Sequence, residues 1–230
     1  MSDDGRMTER RLTRADSKAR TRARLVAAAR TVFLSRGFHA TSIESIAQEA
    51  GYTIGALYSN FDGKSDLFVA VFEQYQGERA REMEAAVAAA GAPRDRPSEA
   101  AAQWMEKLAA EPGWFPLFME FWAYAVRDEE LRHKFAIPFG AVRVAVGRLV
   151  ERHAREAGFE LPLPAEQIGT AIKALGNGIA LEKIADPDGV PDSLLGDFLT
   201  IFLRGLEAGP RSSLSEAQRS ASSEVSPRPG

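Results

Sequence analysis

Between Gly37 and Lys64 the chain reads GFHATSIESIAQEAGYTIGALYSNFDGK, two compact helical patterns set apart by one glycine. No other stretch constrains the possible fold so strongly. The first pattern opens at Thr41, whose hydroxyl is placed to cap a backbone N–H while Glu44 reaches back, a capping box. Ile43, Ile46, Ala47 and Ala50 recur at helical spacing and give one apolar face. Gly51 follows where the chain must turn, and a residue without Cβ takes a positive φ there at little cost. A second cap at Thr53 opens a helix of about two turns with Leu57 and Phe61 four apart on its inner side. The pair reads as a helix-turn-helix.

The outer side of the second helix is Thr53, Ile54, Gly55, Ala56, Ser59 and Asn60, all short or uncharged, so its backbone can approach the floor of a DNA major groove. Tyr58 and Lys64 stand at the margins, suited to phosphate oxygens. The run T-S-I-x-x-I-A-x-x-A-G-x-x-x-G-x-L-Y-x-x-F-x-x-K-x-x-L-F, from Thr41 to Phe68, resembles the DNA-binding region of the TetR family of bacterial transcriptional regulators. The residues expected on DNA are Thr41, Ser42, Thr53, Ile54, Gly55, Ala56, Tyr58, Ser59, Asn60 and Lys64. The resemblance implies an all-α chain, with a three-helix head followed by a larger helical domain that binds an effector and dimerises. It also implies a helix from Ser65 linking the two, and a homodimer that represses from a palindromic operator until an apolar small molecule binds. The rival reading is a helical ligand-binding or enzymatic protein with an inactive head.

Charge agrees with a segregated DNA-binding front. Residues 1–64 hold eleven Lys/Arg and seven Asp/Glu, although the whole chain carries a formal net charge of -3. A basic head on an acidic body meets a polyanion with one end only. The chain has no cysteine, which excludes disulfides and thiolate metal sites. The first residues lack the apolar core of a secretory signal, and no run reaches the ~20 apolar residues a membrane span needs, so a cytoplasmic protein is expected.

Residues 1–16 are polar and unpatterned: a flexible tail, or an arm whose Arg6, Arg10, Arg11 and Arg14 suit a narrow minor groove. From Ser17 a supporting helix turns Leu25, Ala29, Val32 and Phe33 to one face and stops at Gly37, completing a head over residues 17–64. A helical domain then fills residues 65–208. Within it WFPLFMEFWAYAVRD is so apolar that its helix is expected to be buried around most of its circumference, and Pro138 is expected to kink or divide the helix that follows. Two amphipathic helices end the domain. Ile168, Ile172, Leu175 and Ile179 mark the first, and Leu195, Phe198, Leu199, Phe202 and Leu206 the second, natural halves of a two-fold dimer interface. Residues 209–230, rich in Ser and Pro, are expected to be a disordered tail.

No catalytic constellation is legible. His39, His133 and His153 lack metal-ligand spacing, so no metal and no cofactor is expected; His39 reads as a phosphate contact or simply exposed. Gly176-Asn177-Gly178 sits in a helical pattern, where close packing explains the glycines and Asn177 is free to face a ligand, a neighbour or solvent. Trp104, Phe118, Phe121, Trp122, Phe135 and Phe139 have the composition of an apolar pocket and equally that of a core. The resemblance brings an effector into that region, with Glu120 and Tyr124 as the polar groups that would orient it.

Overall fold

The structure, a computed structural model, describes residues 13–89 and 96–207. Among them every regular element is a helix: α1 (Arg14–Arg36), α2 (Ile43–Ala50), α3 (Ile54–Tyr58), α4 (Lys64–Ala89), α5 (Arg96–Ala110), α6 (Trp114–Ala125), α7 (Glu129–Ala157), α8 (Ala165–Ala185) and α9 (Leu194–Glu207). None of them is long and apolar enough to cross a membrane. α1 begins earlier than its periodicity suggests because Thr13 and Asp16 close a reciprocal cap, Asp16 N donating to Thr13 Oγ1 at 3.1 Å and Thr13 N to Asp16 Oδ2 at 3.0 Å. Residues 14–16 therefore belong to a helix, with Thr13 as its cap. Arg6, Arg10, Arg11 and the segment 209–230 lie outside the described residues.

The described residues group into two compact units. The first takes residues 13–79 with Leu108–Gly140, so α6 and the start of α7 pack with the helix-turn-helix, where the sequence suggests a boundary at Ser65. Its core is continuous. Leu25, Ala29, Val32 and Phe33 of α1 are buried together with Ile46, Leu57, Phe61, Phe38, Phe68 and Phe72. Each such Phe or Leu removed from water contributes on the order of 1.5–3 kcal/mol. Arg30 pins α1 from the other side, bonding Glu78 at 3.0 Å and Glu111 at 3.4 Å.

α6 departs from its expected burial. Trp114, Phe115, Leu117, Phe118, Phe121 and Ala125 point inward, but Pro116, Trp122, Ala123 and Tyr124 are exposed, so one side of the helix faces out. An apolar composition records how much surface a helix offers, not whether neighbours cover all of it. α7 runs unbroken through Pro138, which removes one donor but leaves the flanking helical bonds to carry the chain.

The second unit takes residues 80–107 and 141–207, of which 90–95 lie outside the description. Val146, Val150, Ile168 and Leu203 form its centre, flanked by Met83, Val142, Ile172, Phe202 and Leu206. α7 and α8 touch at glycines: a Cβ on Gly169 would lie 2.2 Å from Arg143 O, and one on Gly147 2.8 Å from Ala165 O. His153 and Glu207 close α7 on α9 with a contact of 2.7 Å.

Candidate nucleic-acid interface

The turn between the two short helices is built by local chemistry. Ser42, one residue later than the sequence suggests, caps α2 by accepting from Ser45 N at 3.2 Å. Thr41 is instead 2 % exposed and donates its hydroxyl to Gly37 O at 2.6 Å. Gly51 holds the left-handed conformation at φ 69°, and Tyr52 N donates to Ala47 O at 2.9 Å to end α2. Thr53 then caps α3, accepting from Ala56 N at 3.1 Å. Helical bonds continue past the last α3 residue, with Phe61 N donating to Leu57 O at 3.0 Å.

Of the expected DNA residues, Thr53, Ile54, Gly55, Tyr58 and Ser59 share an exposed position on or beside α3 with Ala56 half-buried among them, and Ser42 is exposed at the start of α2. Ile54 is 42 % exposed and Tyr58 57 %, large apolar surface for so small a head. Three of the expected residues do other work. Thr41 is sealed in the turn. The Nζ of Lys64 donates to Phe38 O, His39 O and Thr41 O at 2.9, 3.2 and 2.9 Å, and partial burial lowers its pKa against the opposing pull of Glu120. Asn60 donates its amide to Ala56 O at 2.8 Å, closing the end of α3. An ammonium that satisfies three carbonyls of a turn is a structural clamp, a role the sequence does not signal.

Glu120, expected to orient an effector, has backbone partners that the sequence does not signal: its two oxygens accept from Phe38 N at 2.9 Å and His39 N at 2.8 Å. A carboxylate receiving two backbone N–H groups is a strong brace. It fastens α6 to the loop between α1 and α2, and nothing local to Glu120 signals this, since its partners lie more than eighty residues away. His39 is exposed, its ring 5.7 Å from that of Tyr124.

The aromatic residues expected to line a pocket divide between the units. Phe118, Phe121, Phe135 and Phe139 pack ring on ring with Phe72 and Phe68 in the first unit, Phe68 and Phe121 at 4.0 Å and Phe72 and Phe135 at 4.7 Å. Trp122 and Tyr124 are exposed there. Trp104 and Asn177 are half-buried in the second unit. On the candidate dimer helices, Ile168, Ile179, Leu195 and Leu199 are already covered within their own chain, while Ile172, Leu175, Phe202 and Leu206 are half-buried. Phe198 alone of the nine is exposed, and it is joined by Leu181, Ile184, Leu194 and Ile201. The apolar face available to a partner is thus rotated away from the one the periodicity marks.

Two capped helices around a left-handed glycine, the second exposing short residues and backed by a buried supporting helix, define a helix-turn-helix DNA-binding protein. Residues 25–71 match the family model of bacterial regulatory proteins of the tetR family, and residues 93–206 match that of the C-terminal part of BetI-type transcriptional repressors. The chain belongs to the TetR family and is a DNA-binding transcriptional regulator. It is 24% identical over 190 residues to the HTH-type transcriptional regulator YfiR of Bacillus subtilis, covering 77% of this chain and 90% of that protein. The match to the transcriptional activator FasR of Mycolicibacterium smegmatis, 39% identical over 54 residues, spans 24% of this chain and only 25% of the relative. Among solved structures, a TetR-family regulator from Pectobacterium atrosepticum superposes with a TM-score of 0.63 at 25% identity, covering 87% of this chain and 100% of that one. The regulator FadR of Bacillus subtilis in complex with stearoyl-CoA shares the fold at a TM-score of 0.62 and 16% identity, over 79% and 96% of the two chains.

Proposed function

We propose that the chain is a homodimeric repressor, acting in the cytoplasm, that grips a palindromic operator through Ser42, Thr53, Ile54, Gly55, Tyr58 and Ser59 and releases it when an apolar small molecule binds. The observation that carries the DNA-reading face is Gly55. A Cβ there would meet nothing closer than Thr53 Oγ1 at 3.8 Å, so packing within the chain does not call for glycine. A surface outside the chain does, because the helix backbone comes closer to a groove floor where no side chain intervenes. Ile54 is suited to a thymine methyl and Tyr58 to a phosphate.

The match to the C-terminal part of a repressor supports repression as the sign of the effect. The apolar effector is supported by a fold shared with a regulator seen with stearoyl-CoA, a long-chain thioester. Release is then a population shift: a ligand that favours the wrongly spaced arrangement of heads weakens the operator by its differential affinity for the two states. No step of this reading is catalytic. Selection from a random duplex pool tests it. An enriched palindrome with half-sites about one turn apart (~34 Å) or more supports the proposal, and a winner with a single unpaired site, or none, overturns it.

A further inference from the structure

α3 and its flanks carry no charged residue from Gly51 to Phe61, and Lys64 donates to three backbone carbonyls. A duplex presents one negative charge per about 1.7 Å of axis, and much of a protein's hold on it comes from cations that displace counterions. The face that reads the groove brings little of that attraction itself. Arg30 is paired with Glu78 and Glu111. Cations concentrate instead in the first half of α1, where Arg14, Lys18, Arg20, Arg22 and Arg24 are exposed and the single acid, Asp16, is bonded to Thr13.

Two contacts carry this half-helix to the reading face. Tyr52 immediately precedes the cap of α3, and Thr21, Arg24 and Arg20 of α1 are near enough to act on its hydroxyl. Thr21, with the charges of Arg24 and Arg20, holds the phenol below its ordinary range. At the other end of α3, the Arg22 guanidinium stands 4.5 Å from the Phe61 ring centroid. Arg20 and Arg24 are one turn apart, about 6 Å along the axis, and so project to the same side.

We propose that Arg20 and Arg24, steadied by Tyr52, form a second DNA-contacting element, a clamp on the phosphates beside the groove that α3 enters. The clamp rests on the DNA-reading face proposed above. It positions the head and carries no base preference of its own.

The test uses the full chain and the duplex that the wild type selects. Arg20→Ala/Arg24→Ala is compared with Arg20→Lys/Arg24→Lys and with Arg148→Ala/Arg152→Ala, which removes the same charge from exposed positions on α7. The α1 alanine variant should select the same sequence and bind about ten-fold or more weakly at low salt. Its plot of log affinity against log salt should flatten by about 2 for each head. The lysine variant should recover most of the affinity, and the α7 variant should change little. Unchanged affinity and slope in the alanine variant, an equal loss in the α7 variant, or an altered selected sequence would each overturn the clamp while leaving the reading face intact. If the wild type enriches no duplex at all, both proposals fall together.

Discussion

Gly55 and Gly37 are glycine for opposite reasons. Gly37 ends α1 at φ 80°, a conformation that demands glycine, and a Cβ there would also push on Glu120 Oε2 at 2.8 Å. Gly55 is under neither demand. Gly55→Ala should leave the fold intact, or stabilise it by up to about 1 kcal/mol through helix propensity, yet weaken operator binding. Gly37→Ala should destabilise by about 1–2 kcal/mol. Denaturant titration beside a DNA-binding assay separates the two, and a Gly55→Ala protein that binds its operator as the wild type does would remove the main support for the reading face. Lys173 makes a second prediction at this scale. Burial, with Arg143 nearby, pushes its pKa from 10.5 down to about 7. Between those values the unfolded chain holds a proton that the folded chain has released, so stability rises with pH through that window. Below it both states are protonated and the penalty of burying the charge is complete. The denaturant midpoint should climb from pH 7 toward pH ~10 in the wild type and lose that climb in Lys173→Met.

At the scale of elements, the helices were largely legible because their signals are local. Leu25, Ala29, Val32 and Phe33 repeat at helical spacing and are all buried, and α8 spans Ala165–Ala185 as its pattern suggests. Neighbouring hydroxyls defeat such signals by one residue: the sequence points to Thr41 as the cap, but Thr41 spends its hydroxyl on Gly37 O and Ser42 caps the helix instead. Long-range partners defeat them altogether. Lys64 had the type and place of a phosphate ligand, but the carbonyls of Phe38, His39 and Thr41 reach it first. Glu120 shows the same limit on α6, and the brace it forms can be tested directly. Glu120→Gln keeps the shape but sets an amide NH2 against one of two backbone N–H groups, which should cost about 1–3 kcal/mol. Amide exchange at Phe38 and His39 should quicken most; exchange that quickens no more there than elsewhere in the first unit would show that the carboxylate does not brace the loop.

At the scale of the whole molecule, the question is what covers the apolar surface left on the last two helices. α8 is pressed onto α7 at Gly147 and Gly169, where no larger residue fits, and Ile168 and Ile179 face inward from it. That fixes which side of α8 remains outside. Leu181 and Ile184 lie there, and on α9 Leu194, Phe198 and Ile201 follow at spacings of four and three, one stripe at helical period. Ile201 is 69 % exposed and Phe198 49 %, surface that a second copy would bury by the same stripe if the two chains meet across a two-fold axis. A stable interface of this kind covers on the order of 800 Å² per partner, which two helix faces can supply. Phe198→Glu/Ile201→Glu should therefore sediment as a folded monomer with an unchanged helical signal and lose the palindrome while keeping weak half-site binding. Leu199→Ala, which empties a position only 7 % exposed, should instead lose about 2–5 kcal/mol of stability and remain a dimer for as long as it is folded. A double-Glu protein that sediments as the wild type does would place the interface elsewhere.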